Sequence, residues 1–119
     1  MLDMNRMIEI IKKNQDFKKV GMILCHNGVV RGYSKDGKKV KGLKVKLDKV
    51  KLKDLISRIK KKPGIIDVLV DIREGKLSIG EDIMYVVIAG DIRENVFPAL
   101  EEAVNSIKSY VIKKEEEIF

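Results

Sequence analysis

The stretch YVVIAGDIRENVF, residues 85–97, joins a buried strand to a helix. Its first half is apolar and rich in β-branched residues up to Gly90, a composition typical of strands. Asp91 and Glu94 follow at the spacing of a capping box, in which each side chain accepts a hydrogen bond from the other residue's backbone N–H group. We therefore predict a long final helix over 91–109.

Arg93 falls in the first turn of this helix, where the helix dipole disfavours a cation. Two explanations stay open. The guanidinium either pairs at the surface with a carboxylate of Asp91, Glu94 or Glu81, or it joins the first-turn N–H groups in binding a phosphate or carboxylate.

Composition favours one compact α/β or α+β domain over residues 1–119, and the order of the elements given below predicts the α+β class. The chain has 119 residues, 45% of them apolar, which is sufficient for a single core. Its 25 Lys and Arg exceed its 18 Asp and Glu, giving a net charge of +7 that favours anionic partners. Apolar runs such as 83–90 are too short to cross a bilayer, and the N-terminus carries acids where a signal peptide would be basic and then apolar. We expect a cytoplasmic protein.

The chain contains one cysteine, Cys25, and one histidine, His26. This excludes an internal disulfide and disfavours a Cys- or His-based metal site, so no metal or other cofactor is expected. Strand alternation predicts that Leu24, His26 and Gly28 share a face, and we interpret Cys25 as a small buried residue on the other face. Whether His26 transfers protons or is structural stays open.

Hydrophobic periodicity predicts the order α-β-β-α-β-β-α with a short terminal strand. Asp48 is expected to cap the second helix, with Val50 among its inward residues, and Pro63-Gly64 to end it. The predicted elements are a helix over 2–13, strands within 18–34 and over 40–47, a helix over 49–62, strands within 65–75 and over 82–90 joined by a connection over 76–81, the helix over 91–109, and a strand at the start of the tail 110–119.

Three stretches carry a family resemblance by their order and spacing. They are GMILCHNGVVRG (21–32), IREGKLSIGEDIMYVVIAGDIRENVFPALEEAVNSIK (72–108) and VIKKEE (111–116). Together they resemble the large, catalytic subunit of molybdopterin synthase, the MoaE type. The matching motifs are Gly28–Arg31, Arg73–Glu81, Arg93 at the helix start, and Lys113 with Lys114 beyond the helix.

The resemblance implies an α/β hammerhead fold and a central homodimer with a small ubiquitin-like carrier subunit bound on each outer side. The Gly-Gly C-terminus of that carrier, as a thiocarboxylate, would deliver sulfur to cyclic pyranopterin monophosphate. The product is the dithiolene that later holds molybdenum or tungsten.

The resemblance also implies roles for individual residues. Arg31 and Arg93 would bind the substrate phosphate, and Lys113 would be the catalytic amine, with Lys114 as the alternate if the register slips by one residue. The chain departs from the family at Ile92, where the family has a histidine. It also stops at Phe119, where the family usually continues through a segment with a second functional lysine.

Alternatives of other classes stay open. The lysine-rich run 35–62 could belong to a nucleic-acid-binding module, although no recognised nucleic-acid signature accompanies it. The chain could also be a non-catalytic or repurposed relative. A purely structural dimer, built on apolar edge residues such as Met22, Val86 and the tail 110–114, is the third possibility.

Overall fold

The computed structural model describes residues 2–119, which form three α-helices and six strands in two antiparallel sheets. The helices are α1 (Met4–Lys12), α2 (Lys49–Lys60) and α3 (Arg93–Ser106). The strands are β1 (Met22–Val29), β2 (Val40–Leu47), β3 (Ile65–Ile72), β4 (Gly75–Ser78), β5 (Asp82–Gly90) and β6 (Ile112–Ile118). A 3-10 helix, Phe17–Lys19, precedes β1, and a π-helical turn, Ile107–Val111, links α3 to β6. The expected α+β class is confirmed.

The first sheet has the strand order β1-β5-β3, with β5 in the centre. Successive residues of β5 point to opposite faces, and both faces are covered. Val86 and Ile88 pack into the main core with residues of α2 and α3. Val87 and Ala89 pack instead with Met7 of α1. Burial on both faces explains why β5 is an unbroken apolar run rather than an alternating one.

The second sheet has the order β4-β2-β6 and contains a strand that the sequence did not predict. Residues 76–81 were expected to be a connection, but Gly75–Ser78 pairs with β2. Leu77 lies opposite Leu43 and both side chains are buried in the main core. Leu77 is the one buried residue of this short strand, and one apolar residue gives no periodic signal in the sequence.

Helix α2 begins where the sequence predicts. The Asp48 carboxylate accepts a hydrogen bond from the Lys51 N–H group at 3.0 Å, so the expected cap is confirmed. Leu55 and Ile59 are buried, but the expectation that Val50 points inward is wrong, because its side chain is 70% exposed. At about 100° per residue, Val50 lies on the side of the helix opposite Ile59.

The start of α3 differs from the predicted capping box. The helix begins at Arg93, and the Asp91 carboxylate accepts hydrogen bonds from the Ile92 N–H group (2.7 Å) and the Asn95 amide (2.9 Å) rather than from Glu94. These hydrogen bonds lower the pKa of Asp91, and the bond from the Asn95 amide has the larger effect. The box cannot form because the Asp91 N–H group donates to the Gly64 carbonyl and is not free for Glu94.

Cys25 is exposed, so the expectation of a buried cysteine is wrong. Strand β1 lies at the edge of its sheet, and the α1 cluster covers Ile23 while Cys25 stays outside it. The alternation was read correctly, but sequence does not show how far along a strand a covering helix reaches.

Candidate functional site

A cavity of about 600 Å³ lies where the end of β1 meets the second sheet. Its wall includes apolar side chains from β2 and β5, among them Leu43 and Met84. The polar part of the wall is mostly cationic. Its charged residues are Arg31 and Lys35 from the loop after β1, Lys108 from the π-helical turn, and Lys114 with Glu116 from β6.

Strand register decides which of the two adjacent lysines reaches the cavity. Lys114 pairs with Val45, which is buried, whereas Lys113 pairs with the exposed Lys46. Because directly paired residues share a face of the sheet, Lys114 lies on the inner face and Lys113 on the outer face. Lys114 lines the cavity and Lys113 does not.

Arg31 follows the bulge at the end of β1. The register of β1 with β5 shifts between Gly28 and Val29, which re-aims the chain just before the arginine. The Arg31 Nε–H group donates to the Tyr33 carbonyl at 2.6 Å. This bond anchors the guanidinium by one edge and leaves its terminal nitrogens available for an anion.

The cations of the cavity are close enough to influence one another. The pKa of the Lys114 amine is lowered by partial burial and then by the charges of Lys108, Lys35 and Arg31, while Glu116 acts in the opposite direction. A lowered pKa increases the fraction of neutral amine at a given pH. The same crowding of positive charge favours binding of an anion, which would relieve the repulsion.

His26 lies in the wall of this cavity beside Gly28. Its Nε2 atom is buried and has no hydrogen-bond partner within the part of the chain that the structure describes. Burial and the charge of Lys108 lower the pKa of the imidazole. A buried ring nitrogen without a partner costs about 1–3 kcal/mol, so this group is a candidate for contact with a bound molecule.

Arg93 lies outside the cavity of its own chain. Its side chain is 80% exposed and its Nε–H group donates to Glu94 at 3.1 Å. Helix α3 and the π-helical turn separate it from Lys108 by about 20 Å at 1.5 Å per residue. Of the two explanations left open by the sequence, the structure shows the surface ion pair.

Three charged residues of the cavity were missed in the sequence: Lys35, Lys108 and Glu116. A signal for Lys108 existed, because it follows the half-buried Val104 by one helical turn and so extends the inward side of the last helix. Lys35 sits in a loop whose path depends on tertiary packing, and no pattern could have found it.

No group of three or more His, Cys, Asp or Glu side chains among residues 2–119 is arranged to hold a metal ion. None of the helices in that range is long and apolar enough to span a membrane.

The model of the MoaE protein family matches residues 1–110 of the chain. The chain belongs to the MoaE protein family. A relative from Methanocaldococcus jannaschii, described as an uncharacterized protein, is 41% identical to this MoaE protein over 109 residues, which cover 88% of this chain and 90% of the relative. The resemblance read from the motifs is therefore confirmed, and membership of the MoaE family ties the chain to molybdenum cofactor biosynthesis.

Solved structures show the same fold. Molybdopterin synthase from Staphylococcus aureus superposes with a TM-score of 0.80 at 24% identity, covering 99% of this MoaE protein and 86% of that chain. A complex of subunits 1 and 2 of molybdopterin-converting factor from Helicobacter pylori contains a chain that superposes with a TM-score of 0.72 at 20% identity, covering 98% of this protein and 80% of that chain. The predicted large-subunit fold is confirmed.

Proposed function

We propose that this protein is the catalytic subunit of a molybdopterin synthase, transferring sulfur from the thiocarboxylated C-terminus of a small carrier to cyclic pyranopterin monophosphate. The observation that supports this most strongly is the convergence of four cations on one cavity with an apolar wall. Its volume of about 600 Å³ suits a small molecule. A phosphate, a thiocarboxylate and the face of a heterocyclic ring are the features that such a wall would bind.

The four cations divide among three proposed roles. The free nitrogens of Arg31 bind the phosphate, where a planar guanidinium can donate two hydrogen bonds. Lys35 and Lys108 balance the remaining negative charge. Lys114 is the catalytic amine in preference to Lys113, because it lines the cavity and its lowered pKa favours a neutral, reactive form.

The atoms of the transfer balance without an oxidant or a metal. The carrier sulfur forms a bond to a pterin carbon, and the bond from that carbon to its oxygen substituent breaks, so that the oxygen leaves as water or stays on the phosphate. The bond from the sulfur to the acyl carbon of the carrier then breaks. Water supplies the oxygen that returns the acyl carbon to a carboxylate. A cationic side chain beside the acyl oxygen stabilises the charge that develops during this attack. A dithiolene contains two sulfurs, so two carriers are consumed for each product.

The proposed partners follow from the same chemistry. A Gly-Gly tail has no side chains and can thread into a narrow cavity. Ile92, just before α3, and Phe97, within α3, are large apolar residues that are 52% and 54% exposed, and they suit a homodimer contact. Arg93 stays a proposed substrate-binding residue. In such a dimer, Arg93 of one protomer would reach the cavity of the other protomer. We expect this assembly to act in the cytoplasm.

Reconstitution tests the proposal. Purified protein, thiocarboxylated carrier and cyclic pyranopterin monophosphate should yield a dithiolene pterin, detected as its oxidised fluorescent derivative. Lys114→Ala should abolish most of this product. Lys46→Ala, which removes an equal charge from the outer face of the neighbouring strand, should leave it intact. Absence of product from the wild type with an active carrier contradicts the proposal.

A nucleic-acid-binding function is the second candidate. Four exposed lysines, Lys44, Lys46, Lys76 and Lys113, share the outer face of the second sheet with one acid, Glu115. None of the four forms an ion pair within residues 2–119. Fluorescence anisotropy with labelled oligonucleotides tests it. Micromolar binding that weakens steeply with salt and is lost in Lys44→Ala/Lys113→Ala favours this function. Binding that stays undetectable at low salt contradicts it.

A further inference from the structure

We propose that His26 is the proton acceptor of the cavity and takes a proton from the water that attacks the acyl carbon of the carrier. This inference rests on the proposed function. It assigns a reaction step to a residue that lies in the stretch 21–32 but outside the motifs Gly28–Arg31, Arg73–Glu81, Arg93 and Lys113 with Lys114.

The position of the ring supports this role. His26 lines the cavity together with Lys108 and Lys114, on the same face of β1 as Gly28. Its Nε2 atom is buried and unpartnered within residues 2–119. The ring packs directly beside Gly28 in the cavity wall, because a Cβ at Gly28 would lie 3.6 Å from Nε2. A bound molecule is the missing partner of this imidazole.

His26 is the single histidine of the chain, so no other imidazole is present. At the position before α3 where the family has a histidine, this chain has Ile92. Arginine cannot accept a proton near neutral pH, and a lysine does so only in its minor neutral form. Among the charged groups of the cavity, Glu116 is the remaining candidate for a base, and it serves as the comparison in the test.

The surroundings of His26 favour the neutral ring, which is the form that accepts protons. The ring also borders a second, smaller groove along α3 that contains Glu101. Burial disfavours the imidazolium, and the charge of Lys108 acts in the same direction, so both lower the pKa of His26. The charged groups lining the two hollows that share His26 are the cations Arg31, Lys35, Lys108 and Lys114 and the acids Glu101 and Glu116.

The proposed step begins when sulfur is already bonded to the pterin and still bonded to the carrier as a thioester. A water oxygen attacks the acyl carbon, and one proton of that water moves to the free ring nitrogen of His26. The carbon–sulfur bond then breaks, and its electron pair stays on sulfur as a thiolate. The carrier leaves as a carboxylic acid that ionises, and the imidazolium returns its proton to solvent.

Single-turnover kinetics across pH test the assignment. Removing a general base typically costs about 100-fold or more in rate, so His26→Gln should slow dithiolene formation by at least that factor. The wild-type rate should also fall at acidic pH as the imidazole becomes protonated, and the variant should lose this dependence. Asn27→Ala, an exposed change on the opposite face of β1, is the matched control. Thermal melting establishes that each variant is folded.

The outcomes separate the two proposals. If the wild type makes no product, the proposed function fails and this inference fails with it. If the wild type is active and His26→Gln keeps both its rate and its acidic limb, only the role of His26 is overturned. Loss of the acidic limb in Glu116→Gln instead of His26→Gln also overturns it.

A measurement on the wild type avoids dependence on any variant. Because the chain has one histidine, its imidazole NMR signals need no further assignment. Adding cyclic pyranopterin monophosphate together with the carboxylate form of the carrier should shift these signals and change their titration midpoint. Unchanged imidazole signals in the saturated complex overturn the proposal.

Discussion

Lys114 lies directly opposite Val45 in the pairing of β6 with β2, on the inner face of the second sheet. The adjacent residue, Lys113, is opposite Lys46 on the outer face. A one-residue difference in a strand therefore moves an amine from one side of the sheet to the other. The family motif names both lysines, but the pairing separates them.

The first prediction concerns these two lysines. Lys114→Ala should reduce the rate of dithiolene formation by about 100-fold or more, because it removes a group beside the reacting atoms. Lys113→Ala should leave the rate close to that of the wild type. Single-turnover assays at saturating carrier measure both. Equal losses in the two variants would contradict the assignment made from the register.

The second prediction is the protonation of His26. Burial and the Lys108 charge lower its pKa from the ordinary value of 6.5, so NMR should find a midpoint below 6.5. Lys108→Ala removes the charge but not the burial, so the midpoint should rise only part of the way. A midpoint at or above 6.5 in the wild type would contradict the lowering of the His26 pKa by burial and by the Lys108 charge.

The free energy of unfolding should also depend on the protonation of His26. The unfolded chain binds the His26 proton more readily than the folded chain does, so the free energy of unfolding should fall as the pH drops from 6.5 through the folded pKa. Urea denaturation of the wild type and of His26→Gln at a series of pH values isolates this contribution. The difference between the two proteins should be constant above pH 6.5 and change below it.

A third prediction uses the outer face of the second sheet. Lys46 and Lys113 are a directly opposed pair of like charges, and such pairs are destabilising. Lys113→Glu should raise the free energy of unfolding by about 0.2–1 kcal/mol, and high salt should shrink the gain. Lys38→Glu makes the same change of net charge in an exposed loop. A gain of equal size in that control would point to net charge rather than to the pair.

The fourth prediction concerns the junction at the end of β5. A Cβ atom at Gly90 would lie 2.5 Å from Val96 Cγ2 and 2.8 Å from the Gly64 carbonyl oxygen. Gly90→Ala should therefore destabilise the protein by about 1–3 kcal/mol, measured by thermal and chemical denaturation. Gly32→Ala is the matched control, because its nearest neighbours would be 3.8 Å away. Similar small effects in both variants would mean that the backbone at the end of β5 can shift to accommodate the added Cβ atom.

The fifth prediction tests whether Arg93 acts across the proposed dimer. Arg31→Ala and Arg93→Ala should each be inactive alone. If the two arginines of a site come from different protomers, refolding an equal mixture should restore activity at about a quarter of the sites. Size-exclusion chromatography first establishes that the mixture is dimeric. No recovery in mixed dimers would contradict a shared site.

Much of the fold could be read from local patterns. Strand β2 has the predicted bounds, Val40–Leu47, because apolar residues alternate with lysines from Leu43 to Leu47, where one face is buried and the other solvated. The cap at Asp48 depends only on the next three residues and was also correct. The capping box at Asp91 had an equally good local pattern, but a hydrogen bond to Gly64, distant in sequence, prevented it.

The candidate site was harder to predict from the sequence than the fold. Motif order pointed to Arg31 and to a lysine near position 113. It did not indicate which side chains lie close together in the folded protein. Lys108 could have been found from its helical position, whereas Lys35 could not, because it lies in a loop. His26 was noticed as a lone histidine, but its unpartnered nitrogen is a property of packing.

By itself, the sequence determined the family, the α+β class and most of the elements, because motif spacing, alternation and helix caps are encoded within a few neighbouring residues. Only the tertiary structure decided that Lys114 rather than Lys113 faces the cavity, that Lys108 and His26 join it, and that Arg93 lines neither this cavity nor the groove beside it. Strand register and helix packing are set by contacts between distant residues, and these contacts bring the cationic groups together.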